Sequence, residues 1–410
     1  MHRPQLEQRQ LDALNELLAE ILPANRFYAE RLKSVPLPLT SLEQLQSLPL
    51  TTKAEWVAAG QHRPPLNLTY PLAAYTRVHQ TSGTQGEPLR VYDTADDWSW
   101  WIQTWQHVLD AAEVTAADTA LMAFSFGPFI GFWSAYDALA ARGCLVIPTG
   151  GMSTVQRLHA LLSYEASVVC CTPTYAMRMV EVAREQEIEL ASTPVQTLIV
   201  AGESGGSVPA IRDRVEAAWG ARVIDHAGAT EVGPWGFADP CRRGLHVAED
   251  QFIAEFLPTT HPEFQELVLT ALGRKGWPVI RYRTGDLVRP RFSGASAHGF
   301  VFLEGGVIGR VDEMVVVRGV NVYPSAIEAI IRGFGDVDEY RATVRRDGEM
   351  DGLQIEVEMD GARREELAEH FQQRLGLRVT LAVVKAGELP RFEAKSRRFF
   401  DRRATPSIKS

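Results

Sequence analysis

Cysteine is scarce in this chain, with four residues in 410. Cys144, Cys170, Cys171 and Cys241 show no Cys-x-x-Cys spacing. A disulfide framework and a zinc ribbon are therefore excluded. The adjacent Cys170–Cys171 pair sits in an apolar run, and the set reads as reduced thiols of a cytoplasmic protein. A dense basic stripe is also missing, and the formal charge of −9 speaks against a nucleic-acid partner. No window has the length and purity of a membrane span, so no membrane partner is expected. Met1 to Leu22 is charged and amphipathic and lacks the apolar core of a signal peptide. The Walker A pattern is absent too, because no Gly-Lys-Ser/Thr follows a glycine-rich loop at the right spacing. There are no internal repeats, and only the tail after Arg402 reads as disordered.

What is present is the composition of a globular protein, 45% hydrophobic and 23% charged with 32 glycines, in a chain long enough for two domains. The first thirty or so residues carry helical spacing at Leu11, Leu14, Leu17, Leu18, Ile21 and Leu22. A turn at Pro49-Leu50-Thr51-Thr52-Lys53 opens another short helix. From about Val91 onward, apolar runs at Thr119 to Phe124, Cys144 to Pro148, Ser167 to Cys171, Thr197 to Ala201 and Arg222 to Asp225 alternate with helical segments. That alternation predicts parallel-type sheets with helices on their faces. After about Pro240 the text changes to strands separated by turns (Phe252 to Phe256, Glu266 to Thr270, Phe300 to Leu303), which predicts a smaller antiparallel or barrel-like sheet. From Val311 a compact α+β region follows, with helices at Pro324 to Ile331 and Ala362 to Leu375 and strands at Tyr340 to Arg345, Leu353 to Glu358 and Val379 to Val384.

Chemistry is expected first at His79-Gln80-Thr81-Ser82-Gly83-Thr84-Gln85-Gly86-Glu87-Pro88. Glycines let such a loop turn its N–H groups toward one point, and the hydroxyls add donors, which together suit a phosphate. Alone, the stretch reads more readily as an ordinary Ser/Gly-rich turn. Three strand ends add to it, and in open α/β sheets ligands gather at the carboxyl ends of strands. They are Ala201-Gly202-Glu203-Ser204-Gly205-Gly206, Asp225-His226-Ala227-Gly228-Ala229-Thr230-Glu231, and Arg281-Tyr282-Arg283-Thr284-Gly285-Asp286. Each sets small residues beside a carboxylate that can accept from ribose hydroxyls or help hold Mg²⁺. Aromatics cluster around Gly127 at Phe124, Phe126, Phe132, Trp133 and Tyr136, with Thr172 and Tyr175 at another strand end. Core packing accounts for at least half of them. The remainder, with room left by Gly202 and Gly228, would form a flat pocket for an aryl acid.

The set resembles the adenylate-forming superfamily of acyl-CoA synthetases, adenylation domains and luciferases, and within it the phenylacetate–CoA ligase family. Thr81 to Pro88 resembles the phosphate loop, Gly228 to Glu231 the signature ending in Thr-Glu, and Tyr282 to Asp286 the ribose signature. Gly309-Arg310-Val311-Asp312 resembles the hinge, Arg318 to Pro324 with Glu328 its sequel, and Leu389 to Lys395 the segment with the catalytic lysine. The Asn321 to Pro324 version and the Pro49 to Lys53 turn point to the phenylacetate type. The resemblance implies a large N-terminal ATP- and acid-binding domain over residues 1–311, with parallel-type sheets and a small β subdomain. A small mobile α+β domain over 312–410 would carry the lysine.

It further implies ATP-dependent activation of a small carboxylic acid to acyl-AMP with release of pyrophosphate, then thioesterification to coenzyme A. Thr81, Ser82, Gly83, Thr84 and Gly86 would hold phosphates, and Glu231 with Thr230 would hold Mg²⁺. Gly202, Glu203, Asp225, His226, Ala227, Gly228, Asp286 and Arg310 would surround the nucleotide. Lys395 would supply a cation between carboxylate and α-phosphate, Asp312 would be the hinge, and Gly319 would line the coenzyme A channel. Two departures stand out. Ala227 replaces the aromatic residue that stacks on adenine. Cys241 and His246 match only half of a zinc site that relatives complete with cysteines, and a third ligand at His298 reads better as chance placement. The alternatives are delivery of the acyl group to a carrier protein or an amine, or a non-catalytic nucleotide-binding relative. The acid, the acceptor and assembly as a homodimer stay open.

Overall fold

The computed structural model describes residues 2–81, 87–125, 127–239, 241–292, 299–335, 337–347, 350–392 and 398–403. Its centre is a nine-stranded sheet in the order Pro290–Arg291, Phe302–Glu304, Gly244–Val247, Gly233–Ala238, Arg222–Ala229, Thr197–Val200, Val168–Cys171, Thr119–Met122, Leu145–Pro148. From Arg222–Ala229 to Leu145–Pro148 all neighbours are parallel. These strands are short and apolar, as expected where helices cover both faces.

The change to antiparallel pairing comes earlier than the composition shift at Pro240 suggests. The chain reverses at Thr230–Val232, and Gly233–Ala238 returns beside Arg222–Ala229, with His226 opposite Phe237. The Thr-Glu signature is thus a hairpin turn inside the large sheet. Gly233 makes the reversal possible: its φ is +134°, and a Cβ there would stand 3.0 Å from the Trp100 ring.

One face of the sheet is covered by the helix Ala95–Ala111, which buries Trp98, Trp100, Trp101 and Trp105. Thr94 and Asp97 start it with a reciprocal capping box. The periodicity reading did not single out this helix, because the aromatic residues obscure its polar face. The other face packs under Thr154–Ser163, Pro173–Glu185 and Pro209–Trp219, with Leu158, Met179 and Trp219 in its core. Among the described residues no helix is long and apolar enough to cross a membrane.

The smaller sheet is antiparallel: Phe252–Pro258, Gln265–Ala271, Val279–Val288, Gly309–Arg310. Thr51 docks on its third strand. The Thr51 N–H donates to the Arg281 carbonyl at 2.8 Å, its carbonyl accepts from Arg283 N–H at 2.9 Å, and its hydroxyl donates to the Ile280 carbonyl at 2.8 Å. The Pro49 to Lys53 turn is therefore stitched to the strand that ends in the ribose signature.

The C-terminal domain has its own core around Val317, Ile327, Ile331, Ile355 and Phe371. Its sheet runs Thr380–Val384, Met350–Glu358, Tyr340–Asp347, Phe399–Asp401. Arg398 and Arg214 tie it to the larger part: Arg398 Nη1 donates to Thr174 Oγ1 at 3.2 Å and Arg214 Nη1 to the Val337 carbonyl at 3.0 Å.

Beneath the signature turn lies a fully buried ion pair. Arg274 Nε donates to Asp93 Oδ1 at 2.8 Å, and neither side chain exceeds 1% exposure. Burial alone would raise the Asp93 carboxyl, but Arg274 and His79 together more than offset it and hold the group below the usual carboxylate range. Breaking such a pair strands a charge in the interior. Asp93→Ala is expected to cost about 3–5 kcal/mol, read as a lowered urea midpoint. A loss below about 1 kcal/mol would show that water reaches Arg274 and that the pair is not the anchor described here.

Candidate active site

The strand ends expected to carry chemistry converge where the two sheets meet. Asp286 ends its run with its backbone N–H donating to Thr284 Oγ1 at 3.0 Å. Its carboxylate accepts from Arg310 Nη1 at 3.0 Å. The next strand partner dictates this contact, since Asp286 lies directly opposite Arg310 in the sheet. Gly285 has φ +76°, and a Cβ there would come within 3.0 Å of the Arg310 guanidinium, so only glycine lets the arginine lie across the turn. Arg310 also donates to Asp312 through Nε at 3.0 Å. One guanidinium therefore spans the expected ribose acid and the expected hinge acid. Burial pushes the Asp286 carboxyl up to about 6, with Arg310 pulling against it and the Glu231 and Asp312 charges adding to the rise.

Glu231 sits in the signature turn with only 11% of its side chain exposed. Its Oε1 is 2.8 Å from Lys53 Nζ, and its backbone carbonyl accepts from Arg274 Nη1 at 2.8 Å. Lys53 begins the helix Lys53–Gly60, capped by a Thr52–Glu55 box. Neither Lys53 nor Arg274 was assigned a role from sequence. The Pro49 to Lys53 turn was the available signal for Lys53, while Arg274 offered none, being one basic residue in a turn. Stacking supports the same corner: Trp56 lies parallel to Tyr282 with centroids 4.4 Å apart.

On the signature strand, Asp225 accepts from the Ser207 hydroxyl at 2.5 Å, and burial raises it to about 6. Gly206 permits this approach, because a Cβ there would lie 2.6 Å from the Asp225 carboxyl. Ala227 is half-buried and Gly228 exposed. The His226 ring turns inward, 4.2 Å from Trp105, with Nδ1–H donating to the Gly236 carbonyl at 2.7 Å. Gly202 is exposed with φ +95°, and Glu203 accepts from Thr174 N–H at 2.7 Å.

Of the expected acid pocket, Phe124 and Phe132 meet edge to face at 5.2 Å, and Trp133 Nε1 donates to the Gly127 carbonyl at 3.1 Å. Tyr136 follows in the first turn of the helix Trp133–Arg142, half-buried. Tyr175 is a correction. It lies fully buried in the core on the opposite face of the sheet from Phe124 and Phe132, its hydroxyl 3.0 Å from Thr154 Oγ1. It lies in the first turn of the helix Pro173–Glu185, whose buried stripe faces that core, and Thr172 caps this helix by accepting from Tyr175 N–H at 3.1 Å.

Thr81 is buried, pairing with Leu89 through its backbone N–H (2.9 Å) and through its Oγ1 (3.1 Å). This closes the base of the expected phosphate loop. Ser82, Gly83, Thr84, Gly86, Phe126, His298 and Lys395 lie outside the described residues. His246 packs between Phe237 and Phe302. The turn bearing Cys241 is closed by Asp239, which accepts from the N–H groups of Cys241 and Gly244, each at 3.0 Å. Gly319 has φ +79° at the tip of a hairpin. Its neighbour Arg318 donates to the Asp351 carbonyl at 2.7 Å, which ties the tip to the C-terminal sheet.

Comparison with known proteins matches this geometry. Residues 74–251 match the AMP-binding enzyme family and residues 319–403 the AMP-binding enzyme C-terminal domain. The chain is 28% identical to the phenylacetate-coenzyme A ligase of Thermus thermophilus over 98% of this chain and 100% of that one. It is 29% identical to the phenylacetate-coenzyme A ligase of Escherichia coli over 88% and 86%. In fold it is similar to 2-hydroxyisobutyryl-CoA ligase in the postadenylation state, with a TM-score of 0.90 at 24% identity over 98% of this chain and 90% of that one. Against the thioesterification state of the same ligase the score is 0.73 at 24% identity, over 98% of this chain and 91% of that one. The chain thus carries an AMP-binding enzyme domain and an AMP-binding enzyme C-terminal domain, and it is similar along most of its length to phenylacetate–coenzyme A ligases.

Proposed function

We infer that this chain is an AMP-forming acid–thiol ligase that makes an acyl adenylate from ATP and a small aryl carboxylic acid, then transfers the acyl group to coenzyme A. The observation that carries this reading is the pairing of Glu231, already holding an ammonium at 2.8 Å, with the partly buried Asp286 across one site. Two carboxylates with separate cationic partners suit the two ends of a nucleotide: one for the charge of a triphosphate with its cation, one for ribose hydroxyls.

The donor set fits Mg²⁺, since Glu231 offers carboxylate oxygens beside the Thr230 hydroxyl and already holds a cation. When bound, the ion neutralises phosphate charge. Asp286 accepts from the ribose hydroxyls, Arg310 keeps that carboxylate oriented, and Thr81 with Ser82, Gly83, Thr84 and Gly86 offers donors to the outer phosphates. The acid lies near Phe124, Phe132 and Gly228. Lys395 places a cation where the carboxylate meets the α-phosphate, an electrostatic role worth about 3–4 kcal/mol. Asp312 serves as hinge, and Gly319 lines the pantetheine path once the C-terminal domain has turned. Coenzyme A is favoured over a carrier protein or amine because the relatives matched along nearly the whole chain bear that name. Three buried cysteines without disulfides support a cytoplasmic setting.

The test is acid-dependent ATP–pyrophosphate exchange with Mg²⁺ across benzoic, hydroxybenzoic, aminobenzoic and phenylacetic acids. Exchange with one of them is expected, followed by thioester formation that depends on coenzyme A. Lys395→Ala should lower the exchange rate on the order of 10²–10³-fold. Unchanged exchange in that variant would remove the assigned role.

A second expectation concerns pH. Asp286 must be ionised to accept from ribose, and its carboxyl is raised to about 6. Binding of adenosine should weaken as pH falls through about 6, by roughly tenfold at pH 5 relative to pH 7.5. Calorimetry across that range checks it, and Asp286→Asn should flatten the profile.

A further inference from the structure

Beside Gly228 at the candidate acid site, the His226 ring is buried while its Nε2 makes no hydrogen bond to the described residues. Its Nδ1 stands 2.7 Å from the Gly236 carbonyl oxygen, which can only accept, so Nδ1 carries the proton. The ring is 7% exposed and rests on Trp105. Trp105 Nε1 in turn donates to Ser134 Oγ at 2.7 Å. That serine sits in the first turn of the helix that also presents Trp133 and Tyr136. The histidine is thus clamped from two sides and cannot turn to satisfy its other nitrogen. Burial pushes the ring down to about 4, only partly opposed by the Gly236 bond, so at neutral pH it is uncharged and Nε2 offers a lone pair.

That lone pair lies against the exposed backbone of Gly228. A Cβ on Gly228 would stand 3.2 Å from Nε2 and 3.1 Å from the Gly233 carbonyl oxygen. The space over Gly228 is therefore lined by two acceptors, a neutral imidazole nitrogen and a carbonyl. An occupant with a donor keeps a hydrogen bond to an acceptor already held in place, whereas an apolar one displaces water from it and replaces that bond with nothing.

We propose that His226 Nε2 selects the acid substrate, accepting a hydrogen bond from a hydroxyl or amino group on it, so that the preferred acid bears such a donor. This rests on the acid-activating reading above, and it adds the chemical class of the substituent.

The experiment is pyrophosphate exchange on matched pairs: benzoic against the hydroxy- and aminobenzoic acids at each ring position, and phenylacetic against the hydroxyphenylacetic acids. Wild-type enzyme should favour the donor-bearing member of at least one pair by tenfold or more in kcat/KM. His226→Leu should collapse that ratio toward one, and His226→Gln, which keeps an acceptor, should retain part of it. A histidine that merely supports the fold would lower both members alike and leave the ratio unchanged, which overturns the proposal. Preference for the unsubstituted acid in every pair overturns it without any variant. Exchange with no acid at all overturns the acid-activating reading and this inference together.

Discussion

The Arg274 guanidinium, sealed under the signature turn, is the point on which the rest of the site depends. It binds Asp93 on the strand that leads back toward Thr81, lies 5.1 Å over the Trp101 ring, and donates to the Glu231 carbonyl. Three regions far apart in sequence therefore meet on one cation: the strand Arg90–Thr94 with the tryptophan-rich helix that follows it, the turn beside the small sheet, and the Thr-Glu turn. Interior charge is tolerated only where it is paired, so this meeting point holds the hairpin of Tyr75–Gln80 and Arg90–Thr94 in place relative to Glu231. Asp97 extends the same anchorage by accepting from the N–H groups of Lys275 and Gly276.

Above that anchor, the exposed side of the site is a balance of carboxylates and cations. Glu231 holds Lys53, Asp286 holds Arg310, and Arg310 reaches on to Asp312. Asp225 and Asp286 are each pushed up to about 6 by burial, a cost that donors from a bound ligand can relieve. Such perturbed acids gather where ligands bind rather than where packing alone matters. Arg310 joins Asp286 to Asp312, so under the proposed roles of these two acids one arginine would couple ribose binding to domain rotation.

Much of this was legible in the sequence because it is local. Short apolar strands ending in glycine and a carboxylate announce themselves, and the order of the motifs placed Glu231, Asp286 and Arg310 in one site before any geometry was known. What was hidden depends on long-range pairing. Lys53 meets Glu231 only because Thr51 is hydrogen-bonded onto Arg281 and Arg283, a register that no local pattern encodes. The buried role of Arg274 is equally invisible from its neighbours. Tyr175 was assigned to the pocket by proximity to Thr172, yet it falls in the first turn of the helix Pro173–Glu185, whose buried stripe carries it into the core on the other face. The helix over residues 95–111 was missed because tryptophans broaden its apolar stripe until no period stands out.

The measurement closest to the central claim is a crystal structure of the protein with a non-hydrolysable acyl-adenylate analogue. The account predicts ribose hydroxyls on Asp286, the nucleobase beside Ala227 and the acyl group over Gly228 near His226. A nucleotide bound elsewhere, with Glu231 still paired to Lys53 and Asp286 untouched, would contradict it.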